Sequence, residues 1–268
     1  MTQVRRLGAL FGILILAQAC AAPTLAPTAA RALTPLPSAT RTVAPTATPA
    51  PPAATPTPTH SPAPTPSPTA TADPLHTACD HRYLPLRLGA TWEYTDGSAH
   101  WTQAVSEVTG DATHATATLV TRYTGGASAT FVYDCTAAGL LTISTNTDLG
   151  DTQSTGRISG SGVHLLGADQ LRPGAMWSFE GTQDFSSSSG QPAVIQVSNA
   201  YVARDLETIQ TVAGPFEALP VSIVFTSTSA TGASQTFTTT NWYASGVGLV
   251  YADIRGQLTW DLVSFEIP

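Results

Sequence analysis

Alternation of apolar and polar residues with a period of two is the feature that most restricts how this chain can fold. From His76 onward no window keeps an apolar helical period over three turns, whereas short runs rich in Val, Ile, Thr, Tyr and Phe recur between Gly, Asp, Asn and Ser. These runs predict strands at residues 101–108, 115–123, 130–135, 140–144, 193–203, 221–227, 235–243, 249–254 and 257–267. A Thr-rich polar face favours antiparallel pairing. The sequence therefore predicts an all-β domain over 76–268, as a single antiparallel curved sheet or half-barrel, with a β-sandwich as the alternative.

The segment before this domain has a composition that does not support a packed core. Fifteen of the 21 prolines lie between Ala22 and Leu75, among Thr, Ala and Ser, with three charged residues. Such a segment has too few apolar side chains to offset its ordering entropy. We predict that residues 20–75 form a disordered Pro/Thr/Ala-rich linker, which acts either as a stalk or as a passive spacer.

The N-terminus has the three parts of a secretory signal. Arg5 and Arg6 are followed by an apolar run over Leu7–Ala17, and Ala17-Gln18-Ala19 then offers small residues for cleavage. The apolar run is shorter than the span of about 20 residues that a transmembrane helix needs. Residues 1–19 are therefore predicted to be a signal peptide, and the mature protein is predicted to be extracytoplasmic.

Cys20 follows this signal directly and resembles the lipid-bearing cysteine of bacterial lipoproteins. Ala17 stands where those proteins usually have Leu, so plain secretion is the alternative. With Cys20 lipidated, Cys79 and Cys135 remain as an even pair in an oxidising compartment, and we predict a disulfide between them. A membrane is then the expected partner, through Cys20.

Two segments of the folded part echo each other 85 residues apart. Residues 86–94 and 171–179 each contain Leu-Arg, then Gly-Ala, then Trp and a second aromatic residue two positions on. Period-two spacing places the two aromatic rings of each copy on one face of a strand. The echo indicates a recurring turn-and-strand device in one domain, with duplication of a larger unit as the alternative.

Three motifs resemble an uncharacterised group of bacterial extracytoplasmic lipoprotein domains. Tyr83–Tyr94 has the pattern Tyr-x-Pro-Leu-x-x-Gly-x-x-Trp-x-Tyr, Trp242–Val250 is similar to Trp-Tyr-Ala-x-Gly-Val-Gly-Leu-Val, and Val212–Ala218 is similar to a Val-x-Ala-Gly-x-Phe segment. Ser245 replaces a frequent Pro of that group. The resemblance implies a curved antiparallel sheet like those of periplasmic lipoprotein carriers and related lipid-binding half-barrels. It implies no catalytic residues.

Signals for catalysis, metal binding and nucleic-acid binding are weak. There is no Gly-x-Ser-x-Gly, no His-Glu-x-x-His and no phosphate-binding glycine loop, so we expect no catalytic residues and no cofactor, and rank a hydrolase well behind other functions. His76, Cys79, Asp80 and His81 match no zinc pattern, and we expect no metal. From His76 on, 7 Arg stand against 17 Asp or Glu, a net charge of −10 that disfavours nucleic acid.

The large aromatic residues are the strongest candidates for a binding face. Rings mostly pack in cores, but on a curved, uncovered sheet some would line an apolar concave surface. The candidates are Trp92, Tyr94, Trp177, Phe179, Trp242 and Tyr243. We therefore expect a tethered module that binds an apolar or lipid-like ligand or an envelope protein, with structural display on a stalk as the alternative.

Overall fold

The computed structural model describes residues 76–188, 190–254 and 258–268, so the predicted signal peptide, Cys20 and the linker lie outside the described residues. These residues form strands and connecting turns. In chain order the strands are β1 Asp80–His81, β2 Leu84–Pro85, β3 Thr91–Thr95, β4 His100–Gly110, β5 His114–Tyr123, β6 Ser128–Thr136, β7 Gly139–Asp148, β8 Gln153–Gly162, β9 Leu165–Leu166, β10 Met176–Ser187, β11 Gly190–Ala203, β12 Glu207–Thr211, β13 Gly214–Ser229, β14 Ser234–Ala244, β15 Gly248–Ile254 and β16 Leu258–Glu266. None of the described residues belongs to a helix that could cross a bilayer.

The main sheet closes on itself. Neighbouring strands pair antiparallel from β3 through β8 to β10 and β11, then from β13 to β16, and β16 returns to pair with β3. Twelve strands thus form a barrel, with β12 paired to β13 and β9 paired to β7 outside the ring. The all-β antiparallel prediction is confirmed, but the open curved sheet is wrong. Closure depends on a pairing between Thr91–Thr95 and the end of the chain, which no local pattern reveals.

The ring consists of two six-stranded meanders, which we call the first half (β3–β8) and the second half (β10, β11, β13, β14, β15 and β16). Each half opens with the same turn. The amide of Ala90 donates to the carbonyl of Arg87 at 3.0 Å, and the amide of Ala175 donates to that of Arg172 at 3.0 Å. Gly89 and Gly174 occupy these turns with φ of 84° and 82°, a left-handed conformation that glycine adopts without steric cost.

The match between the halves extends beyond this turn. Paired residues can be traced from strand to strand, beginning at Trp92 in the first half and at Trp177 in the second. By this tracing Tyr133 of β6 and Tyr243 of β14 occupy equivalent positions. A register shift follows immediately in both halves, between β6 and β7 and between β14 and β15. The halves thus share a bulge as well as a turn, whereas the register shift between β4 and β5 has no counterpart between β11 and β13. The choice between a recurring turn device and duplication of a larger unit stays a prediction.

The two ends of the barrel differ. Six hairpins lie at one end, joining β3–β4, β5–β6, β7–β8, β10–β11, β13–β14 and β15–β16, and we call this the hairpin end. At the other end residues 79–90 form a plug. His81 Nε2 donates to the Leu166 carbonyl at 2.8 Å, and the amide of Gly246 donates to the Arg82 carbonyl at 2.7 Å. The plug therefore spans from β9 to the β14–β15 turn.

A disulfide holds this plug to the barrel wall. Cys79 and Cys135 are bonded, with their Cα atoms 5.1 Å apart, and both are completely buried. The predicted pairing is present in the structure. The bond joins the turn that contains Cys79 to β6, across 56 residues of sequence. The start of the described chain is therefore covalently linked to the barrel wall.

Candidate functional site

The predicted ligand-face aromatics lie mostly inside the barrel. Trp92, Tyr94 and Phe179 are buried core residues. The Trp92 indole donates to the Val247 carbonyl at 2.6 Å, and the Tyr94 hydroxyl donates to the Leu249 carbonyl at 2.8 Å. Both rings are thus packed and hydrogen-bonded to the β14–β15 turn and the start of β15, and they form no open concave face.

The remaining three candidates occupy two different places. Trp177 stacks on Tyr201 with ring centroids 5.0 Å apart and planes 2° apart, and it packs against the core. Tyr243 is half-buried and also packs against the core. Trp242 also packs against the core, but its indole donates to Glu207 Oε1 at 2.5 Å, on β12 outside the twelve-stranded ring.

Tyrosine hydroxyls add a polar layer to this interior that the sequence did not indicate. Asn199 Nδ2 donates to the Tyr201 hydroxyl at 2.9 Å, and Asn241 Nδ2 donates to the Tyr243 hydroxyl at 3.2 Å, each two residues along one strand. Burial raises the pKa of Tyr133 to about 12, and it also raises the pKa values of Tyr201 and Tyr243. These hydroxyls therefore stay neutral at physiological pH.

Three buried polar atoms in the described part of the chain have no hydrogen-bond partner. They are Nε1 of Trp101, Nε1 of Trp177 and Oδ1 of Asn199. Buried polar atoms are normally paired with protein or ordered water. All three belong to interior positions of β4, β10 and β11. The barrel interior therefore contains polar atoms with which a purely apolar ligand would form no hydrogen bonds.

The residues weighed as metal ligands have other roles. Cys79 is in the disulfide, and His76 Nδ1 and Arg87 Nε both contact the Asp80 carboxylate. His81 is buried with Nδ1 accepting from the Tyr83 amide at 3.0 Å. Across residues 76–188, 190–254 and 258–268, no group of three or more His, Cys, Asp or Glu side chains is arranged to hold a metal ion.

A shallow, open groove at the hairpin end is a candidate site. It has a volume of about 650 Å³ and is lined by Gln235, Thr236, Phe237, Thr238, Thr239, Thr240 and Asp253. Six consecutive residues of one strand line it, although alternate side chains point to opposite faces of a sheet. The groove therefore runs along the edge of β14, beside its backbone.

This part of β14 lies beyond the described part of β15. The described part of β15 reaches Ile254, which pairs with Thr239, whereas β14 begins five residues earlier at Ser234. Among the described strands, Gln235, Thr236 and Thr238 have ladder partners on β13 only. In the first half the equivalent strand β6 is covered to its first residue, because Ser128 pairs with Asp148 of β7. We call residues 234–238 the projecting edge.

The groove along this edge is lined by hydroxyl groups, an amide, one aromatic ring and the Asp253 carboxylate. The sequence placed a strand at 235–243 but gave no sign of a site there. Its only available signal was the run Ser-Gln-Thr-Phe-Thr-Thr-Thr at 234–240, which has high β-propensity, no charge and no proline.

Comparisons with known proteins give no family assignment. No family model matches the chain, and no curated protein matches it. Similar solved structures include a protein from Bacteroides fragilis described as exported with a YmcC-like fold (15% identity, TM-score 0.44, 70% of this chain and 100% of that one). Others are a protein from Parabacteroides distasonis described as a lipoprotein (14%, 0.46, 69% and 99%) and the hypothetical lipoprotein YmcC from Escherichia coli (12%, 0.39, 73% and 90%). With TM-scores below 0.5, these similarities are too weak to assign a function.

Proposed function

We propose that this chain is an exported, non-enzymatic protein, anchored to a membrane by a lipid on Cys20, that holds a protein partner at the projecting edge of β14. The observation that carries the proposal is the groove of about 650 Å³ along this edge. An extended peptide that adds to a sheet edge gains main-chain hydrogen bonds, while its alternate side chains meet the two faces.

The position of the groove supports this role. The chain enters the barrel at the plug, where Cys79 is tied to β6, and the groove lies at the hairpin end. The groove therefore lies at the opposite end of the barrel from Cys79, which is close to the start of the described chain.

The packing of the aromatic residues supports a protein partner over a lipid-like ligand. Trp92, Tyr94 and Phe179 are buried against other core residues, so they are not offered to a ligand. The groove is lined by hydroxyl, amide and carboxylate side chains and a single ring, which is a poor match for an acyl chain.

A second candidate function is structural display without any ligand. Its support is the combination of buried rings with a hydroxyl-rich outer wall, in which Ser and Thr side chains bond to each other across neighbouring strands. Such pairs include Thr109 with Thr116, Thr155 with Ser186, and Ser159 with Thr182. Display requires no specific contact at the projecting edge.

Site-specific photo-crosslinking in the native cell tests the proposal. A photoreactive residue at Thr238 is expected to give a discrete adduct, because the partner strand would lie beside it. The same residue at Thr182 of β10, which pairs with strands on both sides, is the matched control. Equal labelling at both positions, or none at Thr238, would support display instead.

Native mass spectrometry of the exported chain tests the lipid-like ligand directly. We expect the mass of the mature chain with its covalent lipid on Cys20 and nothing more, two hydrogens lighter than the reduced form because of the disulfide. A discrete extra mass that organic extraction removes would contradict the protein-partner proposal and restore the lipid-like ligand.

A further inference from the structure

We infer that the barrel interior binds a water molecule between the indole nitrogen of Trp177 and the side-chain amide of Asn199, beside the hydroxyl of Tyr201. These residues lie on the inner face of β10 and β11. Binding at this place goes beyond the proposed function, because it does not involve the projecting edge of β14.

The two groups that would hold the water are buried and unpaired. Trp177 Nε1 and Asn199 Oδ1 have no hydrogen-bond partner, and Asn199 is only 7% exposed. Its neighbours in the ladder are Phe179 on β10 and Phe225 on β13, whose rings carry no polar atom. Turning the amide over would place its oxygen at the Tyr201 hydroxyl and leave its nitrogen unpaired instead. One end of the amide therefore lacks a protein partner in either orientation.

Tyr201 brings the two unpaired groups to one place. Trp177 is its ladder partner, and the two rings stack with centroids 5.0 Å apart and planes 2° apart. Asn199 lies two residues along β11 on the same face and donates from Nδ2 to the Tyr201 hydroxyl at 2.9 Å. A small molecule at the rim of this stack therefore reaches the indole hydrogen, the amide and the hydroxyl together.

The equivalent tryptophan of the first half shows what Trp177 lacks. The indole of Trp92 donates to the carbonyl of Val247, the residue before β15, at 2.6 Å. The residue before β7 is Ala138, and its carbonyl accepts from the amide of Gly167 at 2.9 Å. The protein thus supplies an acceptor to Trp92 and none to Trp177, so a bound molecule takes that part in the second half.

The chemistry of these groups selects a small neutral ligand. The Trp177 indole only donates, whereas the free end of the Asn199 amide accepts, so the ligand must both accept and donate. None of the ladder neighbours of Asn199 and Tyr201 is charged, and burial raises the pKa of Tyr201, which means that charge is disfavoured here. Buried water typically makes about three hydrogen bonds, and the indole, the amide and the hydroxyl provide three.

A crystal structure of the full exported chain at a resolution that shows ordered water is the direct test. The chain carries Cys20→Ser, which removes the lipid acceptor. We expect one water peak within about 3.2 Å of both Trp177 Nε1 and the Asn199 amide. A direct bond from the Trp177 indole to a protein acceptor would overturn the inference, and so would the lack of a peak that contacts both groups.

Two leucine variants provide a matched comparison in solution. Asn199→Leu and Asn241→Leu each remove an amide that donates to a tyrosine hydroxyl two residues on, but of these two amides only that of Asn199 has an unpaired buried atom. Magnetic relaxation dispersion of isotope-labelled water counts the long-lived internal waters. Asn199→Leu should hold one fewer than the parent, and Asn241→Leu the same number. Circular dichroism spectra confirm that the variants remain folded.

The other outcomes contradict the inference. An unchanged count in Asn199→Leu would exclude the site, and an equal loss in both variants would assign the loss to general loosening of the barrel. If Asn199→Leu does not fold, Trp177→Phe replaces it, because phenylalanine keeps a ring on Tyr201 and removes the indole hydrogen, and the same loss of one water is expected. None of these results changes the crosslink expected at Thr238, so the inference and the proposed function fail separately.

Discussion

The two halves of the barrel have the same plan but end differently. Both begin with a Leu-Arg-x-Gly-Ala turn, and both shift register next to an equivalent tyrosine, Tyr133 or Tyr243. In the first half every strand of the hairpin end is covered by its neighbour. In the second half the described part of β15 reaches only Ile254, opposite Thr239, and the projecting edge of β14 lies beyond it. Shared features thus account for the scaffold, and the difference locates the candidate site.

The connections of the halves differ as well. A turn over residues 111–113 joins β4 to β5, whereas residues 204–213, including β12, join the equivalent strands β11 and β13. The disulfide, by contrast, belongs to the first half, because it joins the plug to β6. The additional strand of the second half, β12, therefore lies outside the ring of twelve strands. The disulfide belongs to the first half.

Removing the disulfide should have the largest effect on stability. Replacing both Cys79 and Cys135 by Ala is expected to lower the free energy of unfolding by about 4 kcal/mol, because the bond closes a loop of 56 residues. Urea unfolding of the variant and of the parent measures the difference. A loss below about 1 kcal/mol would mean that the plug holds the first half without the bond.

Acid should have the next largest effect, through the buried His81 and the partly buried His164. Burial lowers the pKa of His164 to about 4 and also lowers the pKa of His81, and the Nδ1 atom of each accepts a backbone amide hydrogen. Because the unfolded chain binds a proton near pH 6.5, unfolding becomes easier as the pH falls below that value, by up to about 1.4 kcal/mol per pH unit for each histidine. The loss from His164 should level off below about pH 4.

Denaturant titrations at pH 7 and pH 5 measure this dependence. His164→Gln, which cannot gain a proton in this range, should show a smaller loss between the two pH values than the parent. An unchanged difference would assign the acid sensitivity to other groups.

The two opening turns provide a direct comparison of the halves. Gly89→Ala and Gly174→Ala should each lower the free energy of unfolding by about 1–2 kcal/mol, because both residues have positive φ. A Cβ atom would meet nothing closer than 3.7 Å at Gly89 and nothing within 4 Å at Gly174, so only backbone strain is involved. Values that differ by more than about 1 kcal/mol would show that the turns are not energetically equivalent.

The smallest effect is expected from the contact that attaches β12. Trp242→Phe keeps a ring but removes the indole hydrogen that Glu207 accepts, and it should cost about 1 kcal/mol. Glu207→Gln retains an acceptor and should cost less. Equal unfolding energies for both variants and the parent would show that this hydrogen bond adds nothing to stability beyond the β12–β13 ladder.

Local patterns in the sequence predicted the strands well where they alternate cleanly. The predicted runs at 115–123 and 249–254 match β5 and β15 within one residue. β8 was missed, because residues 153–162 contain three glycines and little apolar signal. The disulfide followed from counting cysteines, which needs no knowledge of the fold.

Features that depend on distant pairs were not predictable in this way. Barrel closure joins Thr91–Thr95 to Asp261–Glu266, and nothing near either segment marks its partner. The projecting edge is likewise defined by which residues of β14 pair with the described part of β15, and no motif marks it. The six aromatic candidates were identified as rings that must be buried or bound, and the closed barrel buries most of them.

The pairing of β3 with β16 has a consequence for the timing of folding. The first strand of the ring cannot be completed until the last one has been made, some 170 residues later. Until then β3 and β15 each present an unpaired edge, and contacts so far apart in sequence form slowly. An incomplete chain is therefore most prone to misassembly just before β16 has been synthesised. Loss of β16 would leave β3, the first strand of the ring, without one of its two partners.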